Sequence, residues 1–370
     1  VLLLDSAFVL LGLVLLIAGG EALVRGASSF AVRFGISPLV IGLVVVSAAT
    51  STPEFAVTIG AMLRGEPGLA VGNVVGSNIV NILLILGLTA MFSPLVIRRQ
   101  VVRFDMPVML GLSLLLVMVS LDGRISLFDG LLLFGGLLFH AVMSIVVGRR
   151  EVTQTIPTTD TMPLNSAPVP LWLAGLLLAI GVGLLGFGAH FLVDGAVGIA
   201  TSFGVSGLVV GLTVVAIGTS LPELATSIIA VRRGERDMAV GNIVGSNIFN
   251  IGMVLGLPAV IFGGGIPVPT AAIALDLPLM VAAALALLPI AFTGFVVARW
   301  EGTLFVALYV SYLAYVVLAS TQHDALTGFT TVMLWFVLPL VGITLVAVTA
   351  YEMGVYRGRS ARKPSAGSSP

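Results

Sequence analysis

Gly42-Leu-Val-Val-Val-Ser-Ala-Ala-Thr-Ser-Thr-Pro-Glu54, followed by Gly72-Asn-Val-Val-Gly-Ser-Asn-Ile-Val-Asn81, occurs again as Gly211-Leu-Thr-Val-Val-Ala-Ile-Gly-Thr-Ser-Leu-Pro-Glu223 and Gly241-Asn-Ile-Val-Gly-Ser-Asn-Ile-Phe-Asn250. Thr50, Ser51, Pro53, Glu54, Ser77 and Asn81 map onto Thr219, Ser220, Pro222, Glu223, Ser246 and Asn250 with a single offset of 169 residues. Each copy sets a carboxylate, hydroxyls and a carboxamide inside apolar sequence. Polar groups are expensive in that setting and mark functional positions.

The sequence around the motifs is that of an integral membrane protein. Of 370 residues, 58% are hydrophobic and only 9% charged, with a mean hydropathy of +1.17, against about 25% charged in soluble domains. The long apolar runs indicate helices, not the alternating pattern of a barrel. Formal net charge is zero, which excludes an ordinary nucleic-acid binder, and the absence of cysteine excludes disulfides and thiolate metal sites. The N-terminus has no basic region or cleavage site, so no signal peptide is expected.

Apolar runs predict helices near 3–33, 37–63, 68–93, 105–121, 126–148, 169–201, 206–231, 238–262, 271–292, 301–320 and 329–355. The similarity extends beyond the motifs. Asp105-Met-Pro107 matches Asp276-Leu-Pro278, and Phe128-Asp-Gly130 matches Trp300-Glu-Gly302. Each half therefore holds five helices. Because five is odd, the halves must cross the membrane in opposite directions, an inverted repeat of the kind found in secondary transporters. The expected architecture is an all-α polytopic membrane protein: repeat 1–148, polar cytoplasmic linker 149–168, repeat 169–320, an extra helix in 321–356, and a disordered basic tail 357–370. With the N-terminus outside, all of the 17 Lys and Arg except Arg64 and Arg124 fall on the inner side, as the positive-inside rule requires. That puts the tail in the cytoplasm and the protein in the cell membrane.

On a helix, Thr50, Ser51 and Glu54 share one face, as do Ser77 and Asn81. Pro53 and Pro222 should kink their helices and free the carbonyls near Ala49, Thr50, Gly218 and Thr219. Gly72 and Gly76, with Gly241 and Gly245, should let neighbouring helices approach. The resulting inventory is all oxygen, which suits hard cations and Ca²⁺ above all. No histidine or thiolate joins it, against zinc or copper. A lone Glu at a kink can serve only to satisfy freed backbone groups, and Ser or Thr can bond back to the preceding turn. Two Glu in the same context, each 27 residues before an Asn, argue against that structural role.

These motifs resemble the α-repeats of the calcium/cation antiporter superfamily, in particular its sodium/calcium exchanger branch of prokaryotic type. The likeness covers residues 1–320. It implies ten core helices and alternating access at a midplane site where Na⁺ and Ca²⁺ compete, with no cofactor and no obligate protein partner. It also implies that Glu54, Glu223 and the carbonyls of Thr50 and Thr219 hold Ca²⁺. Ser47, Ser51, Ser77, Ala216, Ser220 and Ser246 would add Na⁺ ligands, and Asn81 and Asn250 would complete the middle of the site. The sequence departs from the family pattern in having Ala49 where Gly is usual. It also has Asn250 where potassium-dependent relatives carry Asp, so K⁺ co-transport is not expected.

Two alternatives remain, Ca²⁺/H⁺ antiport and a passive cation channel. No nucleophile–base pair or hydrolase motif points to an enzyme. Of the other polar residues, Glu21 and His190 read as interfacial, with gating or proton sensing the alternative. Asp105 and Asp276 read as helix N-caps, and His140 and His323 as isolated.

Overall fold

The computed structural model describes residues 2–154, 169–204, 216–292 and 295–344, together with 346 and 350. Residues 155–168 of the expected linker, 206–215 of the expected seventh helix and the tail 357–370 lie outside the described residues.

Eight described helices are long and apolar enough to cross a bilayer: Leu2–Phe34, Pro67–Phe92, Val101–Ser120, Leu127–Gly148, Leu171–Ser202, Arg236–Ile261, Arg299–Ser320 and Ala325–Thr344. A ninth span, the second in the chain, is the bent pair Pro38–Thr50 and Thr52–Leu63. The seventh helix is represented by Ala216–Gly218 and Leu221–Arg232, and the ninth by the shorter apolar helix Ala272–Leu287. The fifth helix continues to Gln154, into the segment expected as linker. Its Arg149-Arg150-Glu151 sequence consists of good helix formers.

The two halves pack against each other in opposite directions. The first and sixth helices run antiparallel on spaced glycines, where a Cβ built at Gly12 would lie 2.7 Å from Gly188 O and one at Gly19 3.0 Å from Gly181 O. Side chains are absent where these backbones touch, which is how helices associate in lipid. The third helix meets the tenth with Gly87 against Gly302, and the eighth meets the fifth with Gly256 against Gly130. The third and the eighth helix are thus each braced by the last helix of the opposite half. Gly241 and Gly245 pack on the backbone of Leu39 and Leu43 in the second helix. Among the described residues nothing lies within 4 Å of a Cβ at Gly72 or Gly76.

Four short strands tie the halves together. Leu95–Val96, after the third helix, pairs antiparallel with Val296–Val297, before the tenth. Arg124–Ile125, before the fifth, pairs antiparallel with Ile266–Pro267, after the eighth. Equivalent strands of the two halves thus sit in different pairs, separated by a membrane-spanning helix, as opposite topology demands.

The N-cap reading of Asp105 and Asp276 is corrected. The fourth helix opens with a π-helical turn, Val101–Asp105, and the ninth carries the matching turn Ala272–Asp276. Asp105 therefore has helical backbone angles (φ −70°, ψ −44°) and makes no capping bond. The widened turn lies where Pro107 and Pro278 would press on the carbonyl four residues back. Matching π turns also occur at Val80–Leu86 and Asn250–Gly256. The eleventh helix, beginning at Ala325, has none of its span buried and rests on the end of the tenth.

Candidate cation site

The two proline-driven breaks meet at the interface of the halves. Pro53 and Pro222 remove the N–H groups that would bond Ala49 and Gly218, and ψ reaches 4° at Ser51 and 7° at Ser220. The segments flanking Ser51 are bent by 41°. Glu54 and Glu223 follow in the first turn beyond each break, and both are fully buried.

Each carboxylate is held by the other half. Ser220 Oγ donates to Glu54 Oε1 at 3.4 Å, and Ser51 Oγ donates to Glu223 Oε1 at 3.5 Å. Ser47, Thr50, Ser77, Asn81, Ser246 and Asn250 are buried as well. Thr50 Oγ1 donates to Asn242 Oδ1 at 3.1 Å and lies 3.4 Å from Ser246 Oγ. Asn250 Nδ2 donates to Asn78 Oδ1 at 3.1 Å. Ser47 Oγ donates to Leu43 O at 2.6 Å, which leaves its lone pairs free to accept. Thr219 is half-buried beside its break, and Ala216 opens the short helix before it with a side chain outside the described set. The second, third, seventh and eighth helices therefore contribute to one polar centre.

Several oxygens in that centre have no partner: Oε2 of Glu54 and of Glu223, Ser77 Oγ, Asn81 Oδ1 and Asn250 Oδ1. The Nδ2 of Asn81 is unpartnered too. A buried polar atom without a bond costs about 1–3 kcal/mol, so so many in one place are not explained by a closed structural network. What the five oxygens share is the ability to accept, and a cation meets that need. Among the described residues, no three His, Cys, Asp or Glu side chains cluster. The donor set is thus two carboxylates with neutral oxygens, suited to Na⁺ or Ca²⁺ and not to a transition metal.

Two residues the sequence reading passed over hold this geometry. Asn73 Nδ2 donates to Glu54 O and to Thr58 Oγ1, both at 3.0 Å. Asn242 Nδ2 donates to Glu223 O at 3.4 Å and to Ser227 Oγ at 3.1 Å. The signal was present, since Asn73 and Asn242 follow the first Gly of each motif, and Thr58 and Ser227 share their offset. Glu21 and His190 lie elsewhere. Glu21 pairs with Arg233, and His190 with Asp194 at 3.3 Å, all substantially exposed.

The chain is also similar to known proteins. The family model described as "Sodium/calcium exchanger protein" matches residues 5–146 and 173–318. A putative antiporter, CaxA, of Alkalimonas amylolytica is 42% identical over 287 residues, covering 78% of this chain and 89% of that protein. The sodium/calcium exchanger MaX1 of Methanosarcina acetivorans is 30% identical, covering 82% and 96%. A solved structure of the sodium-calcium exchanger NCX_Mj superposes with a TM-score of 0.71 at 31% identity, over 85% of this chain and all of that one.

Proposed function

The chain belongs to the sodium/calcium exchanger family, and we propose that it exchanges Na⁺ for Ca²⁺ through the centre between its two helix breaks. As a family member it is a multi-pass membrane cation antiporter and not an enzyme. In the proposed cycle Glu54 and Glu223, with the carbonyls of Thr50 and Thr219, hold Ca²⁺. Ser47, Ser51, Ser77, Ala216, Ser220 and Ser246 supply Na⁺ ligands, and Asn81 and Asn250 line the middle. Repeats 1–148 and 169–320 open the centre alternately to either side. Two carboxylates neutralise one Ca²⁺ or two Na⁺. Each further Na⁺ adds net positive charge, which makes exchange electrogenic. The N-terminus lies outside and the tail inside, as the distribution of Lys and Arg supports.

The observation that carries this reading is the reciprocal pair Ser220–Glu54 and Ser51–Glu223, which leaves one unpartnered oxygen on each carboxylate. A membrane-buried centre with two carboxylates and many neutral oxygens favours Na⁺ over H⁺ as the coupling ion, because a proton needs no such shell. The test is ⁴⁵Ca²⁺ uptake by proteoliposomes under imposed Na⁺, K⁺ or pH gradients. An outward Na⁺ gradient drives uptake without K⁺. Uptake driven by a pH gradient alone would assign the chain to Ca²⁺/H⁺ antiport.

A further inference from the structure

A second buried polar cluster lies outside the cation centre. His140 Nε2 is 2.9 Å from Asp105 Oδ1, and Ser144 Oγ donates to the same oxygen at 3.0 Å. All three side chains are fully buried. The imidazole stacks on Phe104, with centroids 5.9 Å apart and planes at 9°. Asp105 Oδ2 and His140 Nδ1 have no partner. His140, isolated in the sequence reading, is thus joined to the carboxylate that the sequence suggested was a helix cap.

Among the described residues, no Lys or Arg pairs with this carboxylate. Between Asp129 and Arg149 the fifth helix has His140 as its sole ionisable residue. The fourth has none between Asp105 and Asp122, and Arg103 on its opening turn is exposed. The eighth helix, packed against both, has none from Met238 to Ile261, and its Asp237 pairs with Arg98. The first segment of the second helix, Pro38–Thr50, has none either. On the ninth helix, the nearest is Asp276, which accepts from Tyr312 at 3.3 Å.

That last pair is the pseudo-symmetric counterpart of the cluster. Asp105 matches Asp276 and His140 matches Tyr312, at offsets of 171 and 172. The halves share a carboxylate on the π turn and a ring on the last helix, but only the first half has an imidazole there.

We propose that Asp105, His140 and Ser144 form a proton-binding site that sets the turnover rate of the exchanger from outside the cation path. With neutral imidazole and ionised carboxylate the cluster carries one buried negative charge, and one proton brings it to zero. The two unpartnered atoms, Nδ1 and Oδ2, are where that proton can sit. The route to the transport centre is direct packing. Leu137, one turn before His140, seats on Gly252, and Gly130 on Gly256, both within the π turn that begins at Asn250. Protonation converts an uncompensated anion into a neutral joint between the fourth and fifth helices. It thereby stiffens the wall against which the Asn250 turn rests, and turnover slows.

The test is initial ⁴⁵Ca²⁺ uptake by the full chain in proteoliposomes, with whichever gradient drives it, from about pH 5 to 8, where an imidazole ordinarily changes charge. Rates are read at saturating and at low Ca²⁺. Wild-type kcat is expected to fall several-fold towards acid. His140→Gln, which keeps a hydrogen bond to Asp105, and His140→Tyr, which reproduces the second half's pair, are expected to retain the alkaline rate and lose that fall. Protons competing at Glu54 and Glu223 raise KM instead, are overcome by saturating Ca²⁺ and persist in both variants. A wild-type kcat that is flat with pH overturns the proposal even where a variant does not fold. So does a variant kcat profile that matches the wild type. Failure of Na⁺ coupling shows separately, as uptake that needs another gradient.

Discussion

Ser220 Oγ reaches Glu54 Oε1 at 3.4 Å, across the boundary between the halves, and the inverse contact places Ser51 on Glu223. Neither half can assemble the centre alone. Each supplies a carboxylate and borrows the hydroxyl that orients it.

Glu54→Gln and Glu223→Gln should each abolish Ca²⁺ transport and leave the fold intact. Losing one charge from a buried, paired arrangement costs about 2–5 kcal/mol, roughly 30- to several-thousand-fold in affinity. Calorimetric Ca²⁺ titration and uptake measure this, with size-exclusion profiles as the folding control. Near-normal flux in either variant would make that residue structural.

Asn73→Ala and Asn242→Ala should raise the Ca²⁺ KM and lower thermal stability, because each leaves a glutamate carbonyl and a hydroxyl without their donor. A cost of about 1–3 kcal/mol is expected for each. Asn242→Ala should be the worse, since Asn242 also accepts from Thr50. Equal and negligible shifts in melting temperature and KM would show that the carboxamides position nothing.

Gly12→Ala should force the first and sixth helices apart, its Cβ falling 2.6 Å from Leu192 N. Overpacking of this kind costs about 1–3 kcal/mol. Gly183→Ala, on the sixth helix with nothing within 4 Å, should be neutral or mildly stabilising. Melting curves in detergent compare the two. If both glycines tolerate alanine equally, the helix pair is not set by backbone contact.

Deleting 325–370 should spare Ca²⁺ uptake while reducing expression. Among its described residues the eleventh helix contributes no buried residue, and it has no counterpart in the first half. Loss of exchange in a monodisperse truncation would place it along the transport path.

The motif repeat made the centre legible, because polar residues in apolar sequence have few roles and a shared offset removes coincidence. Thr50, Ser51, Glu54 and their partners could be placed on faces from helical spacing alone. Asp105 and His140 could not be joined that way, since 35 residues separate them and only the packing of the fourth against the fifth helix brings them together. The π turns were invisible for a related reason. A run of Val, Phe and Asp before a proline reads equally as a cap or as a widened turn, and tertiary contacts decide. The cross-half strands, each two residues long, are too short to carry any alternating pattern.

The antiparallel glycine seam follows the symmetry of the halves. Gly12 on Gly188 and Gly19 on Gly181 are one contact seen twice, as are Gly87 on Gly302 and Gly256 on Gly130. A five-helix polypeptide inserted in both orientations would make the same contacts with its own copy. The molecule is thus built like a homodimer of a five-helix unit inserted in both orientations, and the differences between its halves, His140 against Tyr312 among them, are what such a dimer could not have had.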